Sequence, residues 1–544
     1  GRGRGRERAG GEGLGVRPRL ALALVAVCGA TPAAALADGP KAPPGADDSF
    51  EQRLVRRVAA ERGLELMSVE AAAGRTIARI EVVAVPVFTP ADPIPDVLNV
   101  FHVTTREHVV RQELLFAQGD AFDPERIEET ARNLRSMVVL TTASVEPFRA
   151  EGGDVGVLVV TKDLWTLRHG FVDLFFDPAR FSETLRVRGA LTEMNLLGLN
   201  KSVAIQYARN PWVREIGQTY LDRRVLGSRW SFHESLGVLL DDDTGTTVRG
   251  SYQLVRPFYS LGTRFAGQLL VEHNAGTSRA QEGAGVARIA LPASGSGRAI
   301  DVEHRFDRRN WGGAGTFAFQ HGDRVKSRFS LTLRTSSREY TPGPDVPIAR
   351  EADFFDAIRL RSEFSNVVEL GWSLVPTDYR KLRNADVYGI TEDFLAGPQL
   401  SFGAGLSERS MGSDQDFLRL SGAAGWRIVT DAELVAAAFL TVGGRKQREG
   451  LINRSIRLDL SLYSAPTRYG RMIWKVASAV RRDNRSLGVV ALGGDGGLRG
   501  HPIGAVRGDS FWRANLEWRS RPWYWKTYNF GYALYWDSGS AWFE

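Results

Sequence analysis

Two short stretches near the end of the sequence carry residue types that could form an ion pair inside a protein. Residues 497–501 read Gly-Leu-Arg-Gly-His and lie in a glycine-rich segment, and residues 535–539 read Tyr-Trp-Asp-Ser-Gly. The second stretch has the composition of a β-strand. Because a guanidinium group can hold carboxylates in fixed geometry, Arg499 could pair with Asp537. The alternative is an arginine exposed in a surface loop.

A segment that folds back against a wall must turn tightly, and glycine permits such turns. The sequence supplies several around the arginine: Gly493, Gly494, Gly496, Gly497 and Gly500. Glu517 lies between the two stretches, in Leu-Glu-Trp-Arg. We expect it to share the fork of the Arg499 guanidinium with Asp537.

The first 37 residues are typical of a secretory signal with a basic segment upstream. Six arginines precede an apolar run at 20–29, and Ala-Ala-Ala-Leu-Ala follows at 33–37. The alternative is a single membrane anchor, for which the apolar run is short. Cys28 is the only cysteine of the chain and lies inside this segment. The mature chain would therefore have no disulfides and no cysteine chemistry.

The charge and the histidines exclude several classes of function. The net charge is +7, but the six arginines and two glutamates of residues 1–37 account for four of these charges. A remaining net charge of about +3 over some five hundred residues is too small to indicate a nucleic-acid-binding protein. The eight histidines form no metal-binding pair on a helix, and the glycine loop lacks Gly-Lys-Ser/Thr. We expect neither an enzyme nor a bound cofactor or metal.

Residues 76–167 predict one small α+β domain, after a linker and a helical segment at 38–75. The order is strand, helix, helix, strand, strand, with Asp123-Pro124 opening the second helix. The segment resembles a polypeptide-transport-associated (POTRA) domain, and an unrelated small domain is the alternative. The residues that carry the resemblance are Glu113, Gly119, Asp120, Thr130, Arg132, Leu134 and Trp165.

From about residue 168 onward the sequence predicts strands that alternate apolar and polar residues. Residues 455–463 place Ile456, Leu458 and Leu460 on one face and charged residues on the other. All thirteen tryptophans lie at or after Trp165, as the aromatic girdles of membrane barrels require. We expect a transmembrane antiparallel β-barrel at 168–544, with stacked soluble β-domains as the alternative.

This pattern and the two stretches described first resemble the BamA/TamA group of outer-membrane assembly proteins, the bacterial surface antigen family. The family has an aliphatic-Arg-Gly-aromatic motif at the tip of its sixth outer loop and an aromatic-x-Asp-x-Gly motif on a later strand. His501, where the family has Phe or Tyr, departs from the motif. The resemblance implies a loop lock formed by Leu498, Arg499, Gly500, His501, Glu517, Asp537 and Gly539.

The resemblance also implies a number of strands. In the family, about three strands follow the aromatic-x-Asp-x-Gly strand in a barrel of roughly sixteen, whereas this sequence stops five residues after Gly539. By motif order we expect about thirteen strands of the expected sixteen. We also expect the sequence to be truncated at its C-terminal end.

The function that the resemblance implies is assistance to client proteins as they enter or cross the bacterial outer membrane. The small domain would receive unfolded outer-membrane or secreted clients in the periplasm by strand addition, and the barrel would contact membrane lipid. Periplasmic or accessory assembly proteins are further expected partners, and nucleic acid is not. The alternatives are a passive pore or structural surface barrel and, more weakly, a pore dedicated to one exoprotein.

Overall fold

The computed structural model of the protein describes most of the chain, and every structural statement below concerns those residues alone. The described ranges are 23–29, 50–89, 96–175, 178–181, 185–210, 213–241, 243–282, 285–293, 298–388, 390–485, 489–494, 496–501, 504–525 and 528–544. Most of the predicted secretory signal therefore lies outside the described residues. Its apolar core forms a strand, β1 (Ala23–Gly29).

A small α+β unit precedes the large sheet. Its elements are α1 (Phe50–Glu61), α2 (Val69–Ala72), β2 (Ile77–Val85), a 3-10 turn (Asp96–Phe101), α3 (Glu107–Arg111), α4 (Pro124–Arg135), β3 (Leu140–Arg149), a second 3-10 turn (Glu151–Gly153) and β4 (Val155–Asp163). The strand order is β2-β4-β3, with β2 parallel and β3 antiparallel to β4. The predicted order of strands and helices is present.

The sheet of the small unit has helices on both faces. The side chain of Asp123 accepts a hydrogen bond from the Glu125 amide at 2.9 Å and begins α4, with proline at the first helical position. Helices α2, α3 and α4 pack on one face, and Leu134 lies fully buried there. Helix α1 packs on the other face against Phe148. Helices α1 and α2, which we set apart within the segment 38–75, are thus part of this core.

The remaining strands form one large antiparallel sheet with small hairpins in its outer loops. They are β5 (Leu167–Phe175), β6 (Arg186–Glu193), β7 (Lys201–Arg209), β8 (Val213–Asp222), β9 (Ser231–Asp241), β10 (Gly245–Arg256), β11 (Phe265–Arg279), β12 (Gln281–Glu282), β13 (Gly285–Val286), β14 (Arg288–Leu291), β15 (Ile300–Glu303), β16 (Arg305–His321), β17 (Val325–Pro342), β18 (Glu363–Pro376), β19 (Asp378–Arg383), β20 (Thr391–Ser407), β21 (Phe417–Val429), β22 (Val435–Gln447), β23 (Gly450–Tyr463), β24 (Gly470–Arg482), β25 (Val490–Leu492), β26 (Val506–Gly508), β27 (Ser510–Ser520), β28 (Trp523–Trp525) and β29 (Tyr528–Trp542).

Short helical segments lie in the connections of this sheet. They are one α-helix, α5 (Glu351–Ala357), and 3-10 turns at Pro178–Arg180, Leu196–Gly198, Val225–Gly227, Ile348–Arg350 and Arg409–Met411. None of the helices among the described residues is both long and apolar enough to cross a membrane.

Neighbouring strands of the large sheet pair in chain order from β5 to β29, and β1 pairs antiparallel with β29. Strands β18 and β19 keep one register against β20, and β27 and β28 lie together against β29. The described residues contain no pairing of β5 with β29, so the barrel is not closed. The predicted antiparallel, β-dominated fold is confirmed.

The expected count of about thirteen strands is too low. The large sheet contains twenty strands, or eighteen when β18 with β19 and β27 with β28 are each counted as one interrupted strand. The expectation was drawn from motif order in the resembling family, and this chain places more hairpins ahead of the Asp537 strand than that order allows.

The two faces of the sheet differ in chemistry. Side chains that point outward are apolar and exposed, as Ile456 (59%) and Leu370 (62%) illustrate. Their cross-strand partners share this property, since Ile456 pairs with Val442. A soluble sandwich would bury its apolar side, whereas a membrane barrel exposes it to lipid. The exposed apolar face therefore favours the barrel over stacked soluble domains.

Candidate loop-lock site

The register of β27 and β29 gathers the site residues on one face of the wall. Asn515 pairs with Asp537, and Glu517 pairs with Tyr535. Residues directly opposite each other on antiparallel strands point to the same side of a sheet. The exposed apolar side chains of these strands, including Trp512 and Trp536, lie on the other side. The carboxylates therefore point to the inner, polar face.

Arg499 contacts both of the predicted carboxylates. Its Nε and Nη2 donate to the two oxygens of Asp537 at 2.9 and 2.8 Å, which is a bidentate pair. Its main-chain amide donates to the same carboxylate at 2.8 Å, and its Nη1 donates to Glu517 at 2.6 Å. The arrangement has the geometry that a lock between loop and wall requires.

The two acids of this contact are largely shielded from water. The side chain of Asp537 is 4% exposed and that of Glu517 12%, whereas that of Arg499 keeps 34%. The guanidinium carbon of Arg499 lies 3.8 Å from the centre of the Tyr535 ring, a cation–π contact. The two carboxylates thus lie on the barrel wall, and the loop supplies the positively charged guanidinium of Arg499.

Residues that we did not single out complete the contact. Asn515 donates to Asp537 at 2.7 Å and to the carbonyl of Gly497 at 2.7 Å. Arg513 donates to the carbonyl of Gly496 at 3.0 Å. The signal was present, because these residues alternate with Glu517 along one strand, and the spacing of two places them on its inner face.

The loop itself turns at only some of the expected glycines. Gly493, Gly494 and Gly497 have positive φ, whereas Gly496 and Gly500 do not. A β-carbon on Gly497 would lie 2.5 Å from Nη1 of Arg513. Leu498 is 1% exposed and packs with Phe511 on the inner wall.

His501 is placed by its main chain. Its amide donates to the carbonyl of Leu498 at 3.0 Å, and its carbonyl accepts from the amide of Gly494 at 2.9 Å. These bonds close the turn that carries Arg499. The ring at 501 is half-buried and forms no hydrogen bond with the part of the chain that the structure describes.

Gly539 allows the wall strands to approach closely at the site. A β-carbon there would lie 2.8 Å from the carbonyl oxygen of Trp512 and 3.2 Å from the Cα of Arg513. Because these are main-chain atoms, the strands would have to separate.

We expect Gly539→Ala to destabilise the barrel by about 1–3 kcal/mol, the usual cost of overpacking. The measurement is the temperature at which the purified chain loses its folded mobility in an unheated detergent gel. Gly189→Ala is the matched control, since its β-carbon would meet only the carbonyl oxygen of Gly170 at 3.7 Å. Equal unfolding temperatures for the two variants would contradict the expected role of Gly539.

Six of the seven residues that carried the POTRA resemblance divide into two groups. Four serve the small unit itself: Gly119 has positive φ, Asp120 accepts from the Ala117 amide, Thr130 donates to the carbonyl of Arg126, and Leu134 lies in the core. Two contact the large sheet instead. Glu113 accepts from Nε of Arg224 at 2.8 Å, and the Arg132 guanidinium lies 3.9 Å from the Tyr379 ring centre.

Trp165, the last of these residues, lies beside a buried polar cluster at the junction with the barrel. Its ring centre is 6.4 Å from that of His102. His102 contacts Asp163 at 2.9 Å, and the Thr105 amide donates to the same carboxylate at 2.7 Å. Asn195, in the turn after β6, donates to the Thr105 hydroxyl at 3.0 Å. The cluster joins the end of β4 to the first inner turn of the barrel.

No sequence pattern pointed to this cluster, because its members lie far apart along the chain and each is a single polar residue. The side chains of His102 and Asp163 are 1% and 0% exposed. The second oxygen of Asp163 has no hydrogen-bond partner among the described residues. No group of three or more metal-ligating side chains occurs in the described ranges.

The fold and this site together define a β-barrel wall with the Arg499 loop tied to its inner face. Solved structures similar to the chain include a BamA from Haemophilus ducreyi lacking POTRA domains 1–3, at 12% identity and a TM-score of 0.32, over 85% of this chain and 84% of that one. A CdiB from Escherichia coli has 10% identity and a TM-score of 0.39, over 85% and 77%. A CdiB from Acinetobacter baumannii has 9% identity and a TM-score of 0.34, over 85% and 74%.

No protein-family model matches the chain, and no curated protein matches it. The identities and TM-scores of the solved structures are low, so the similarity carries no argument about function. What the chain does must be argued from its own residues.

Proposed function

We propose that this chain is an outer-membrane barrel that assists the insertion of client proteins into that membrane or their passage across it. The small α+β unit would act as a POTRA domain in the periplasm and receive clients there. The motifs around Arg499 and Asp537, and the contact between them, support this proposal. No bond is made or broken, so no catalytic residue is required.

The observation that carries the proposal is a strand edge on the small unit, residues 79–85 of β2, with no second main-chain partner among the described residues, although the Arg111 side chain donates to the carbonyl of Ile80 at 3.2 Å. At the β3 edge, the Arg149 amide donates to the carbonyl of Glu65 at 2.8 Å, and the Met67 amide donates to the carbonyl of Pro147 at 3.0 Å. At the β2 edge, residues 79–85 form main-chain pairs only with β4 among the described residues.

A protein that caps one edge and leaves the other open keeps a template for strand addition. An extended client segment would bind to β2 by main-chain hydrogen bonds, which tolerate many client sequences. A passive pore would need no such edge. The inner wall is also covered by the chain's own Arg499 loop, which suits a passive pore poorly.

We expect a photo-crosslinking residue at Arg79 on β2 to capture unfolded outer-membrane barrel proteins. The same residue at Arg149 on β3 is the control, because the two side chains are similarly exposed, at 57% and 62%, and only the β3 edge is capped. Equal capture at both positions would contradict client binding by the β2 edge.

A cellular measurement distinguishes the proposed function from that of a passive pore or structural barrel. We expect depletion of the chain to lower the levels of other folded outer-membrane barrels or of a secreted client. Unchanged levels of both would contradict the proposed function and favour the passive pore.

A further inference from the structure

At the periplasmic end of the barrel, the chain between β18 and β20 bends out of the wall. β20 pairs with β21 only from Gly397 onward, whereas its first residues pair with β19. Gly397 has a φ of 105°, and a β-carbon there would lie 3.2 Å from Pro376. Residues 378–396, which we call the inner hairpin, therefore leave the wall at this glycine.

The inner hairpin packs along the inner face of the wall. Leu382 and Ala385 are 2% and 0% exposed, and they lie in one apolar cluster with Val435, Tyr463 and Ile473. Those three residues stand at the periplasmic ends of β22, β23 and β24. Ile473 pairs with Glu517, so this cluster lies on the same face as the Arg499 contact.

The tip of the inner hairpin reaches the strands that hold the loop lock. Arg519 donates to the carbonyls of Ala385 and Asp386 at 2.9 and 2.6 Å. The Asp386 carboxylate accepts from Lys475 at 3.1 Å, and the hydroxyl of Tyr388 donates to the carbonyl of Tyr532 at 3.3 Å. The hairpin thus spans the inner face from β20 to β29.

The tip and the loop lock share one acid. Glu517 accepts from Arg499 on one oxygen and from Arg519 on the other. Arg519 in turn holds the hairpin tip. A chain of charged hydrogen bonds therefore runs from the outer loop through Glu517 to the periplasmic end of the barrel.

The other side of the inner hairpin is held by the small unit. Arg135 on α4 forms a bidentate pair with Asp393 at 2.9 and 2.8 Å, with the two side chains 9% and 11% exposed. Glu128 accepts from Lys381 at 2.6 Å. Burial alone would raise the pKa of Glu128, but hydrogen bonds from Lys381 and Arg135 lower it below its ordinary value. Glu128 is therefore ionised at neutral pH.

We propose that the inner hairpin is a built-in plug that blocks the periplasmic end of the barrel and that the small unit controls its release. The contacts of Arg135 and Glu128 clamp the stem, and those of Arg519 and Lys475 clamp the tip. A movement of α4 away from the barrel would remove the stem contacts and leave only the tip. This goes beyond client handling and does not depend on it.

The test is the conductance of the purified full chain in a planar lipid bilayer. We expect replacement of residues 378–396 by an Asn-Gly turn to raise the mean single-channel conductance several-fold, because the plug is gone. Equal conductance with and without the hairpin would overturn the proposal.

A second pair of variants keeps the test valid if the shortened chain does not fold. Arg135→Ala should increase the frequency of large openings, and Arg126→Ala on the same helix, whose ion pair is exposed, should not. In a Cys28→Ser background, Asp386→Cys and Lys475→Cys joined by a short bismaleimide, which adds one thiol to each maleimide, should hold the channel in its low-conductance state. Large openings that persist after this cross-link would overturn the proposal.

Discussion

Arg499→Ala is expected to lower the unfolding temperature of the barrel by roughly 5–15 °C. The substitution removes the cation that pairs with the shielded Asp537 carboxylate and one of the two that pair with Glu517, which keeps Arg519. Removing one member of a buried ion pair costs about 3–5 kcal/mol. Because Arg499 keeps a third of its surface exposed, we expect a smaller cost than this, about 2–4 kcal/mol.

The measurement is the loss of folded mobility in a detergent gel as the sample is heated. Arg507→Ala is the matched control, since Arg507 lies on the same loop and is exposed. It forms no ion pair with the described residues, so we expect a change within about 0.5 kcal/mol. Arg499→Lys should fall between the two, because lysine keeps the charge but loses the planar fork. The lock would be contradicted if Arg499→Ala and Arg507→Ala unfolded at the same temperature.

Asp163→Ala is expected to destabilise the small unit and its junction with the barrel by about 3–5 kcal/mol. The carboxylate is fully buried and accepts hydrogen bonds from His102 and from both the amide and the hydroxyl of Thr105. Alanine would leave these donors buried without an acceptor, which costs more than the bonds themselves contribute.

Urea unfolding of the small unit within the full chain, followed by pulse proteolysis, measures this effect. At ordinary urea sensitivities the midpoint should fall by about 1–5 M. Asp154→Ala is the control, because that side chain is only half-buried and forms no ion pair with the described residues. Asp163→Asn should be milder, since it keeps the shape and one acceptor oxygen. Equal midpoints for Asp163→Ala and Asp154→Ala would show that the cluster does not hold the junction.

Local sequence patterns predicted the features of the fold that depend on interactions between neighbouring residues, such as strand faces and helix starts. The alternation at 455–463 predicted a strand with one apolar face, and β23 exposes that face. The Asp123-Pro124 pair predicted the start of α4, where the structure has it. Arg499 and its two acids were paired through the motifs of a resembling family, together with the ability of a guanidinium group to hold two carboxylates.

Contacts between segments that are distant along the chain produce no comparable pattern in the sequence. The inner hairpin looks like any other strand pair in sequence, and only the bend at Gly397 turns it against the inner wall. Arg132 and Glu113 carried a domain motif, yet the structure uses them against Tyr379 and Arg224 of the large sheet. The strand count failed because it was taken from the order of motifs in other proteins and not from the residues of this chain.

The most direct test of the proposed function is a folding reaction in liposomes that contain the full chain. A urea-denatured outer-membrane barrel protein is added, and its folded fraction is followed over time by gel mobility. We predict faster folding with the chain than in empty liposomes, and a loss of part of this acceleration with Arg499→Ala. Folding at the same rate with the intact chain as in empty liposomes would contradict a role in client insertion.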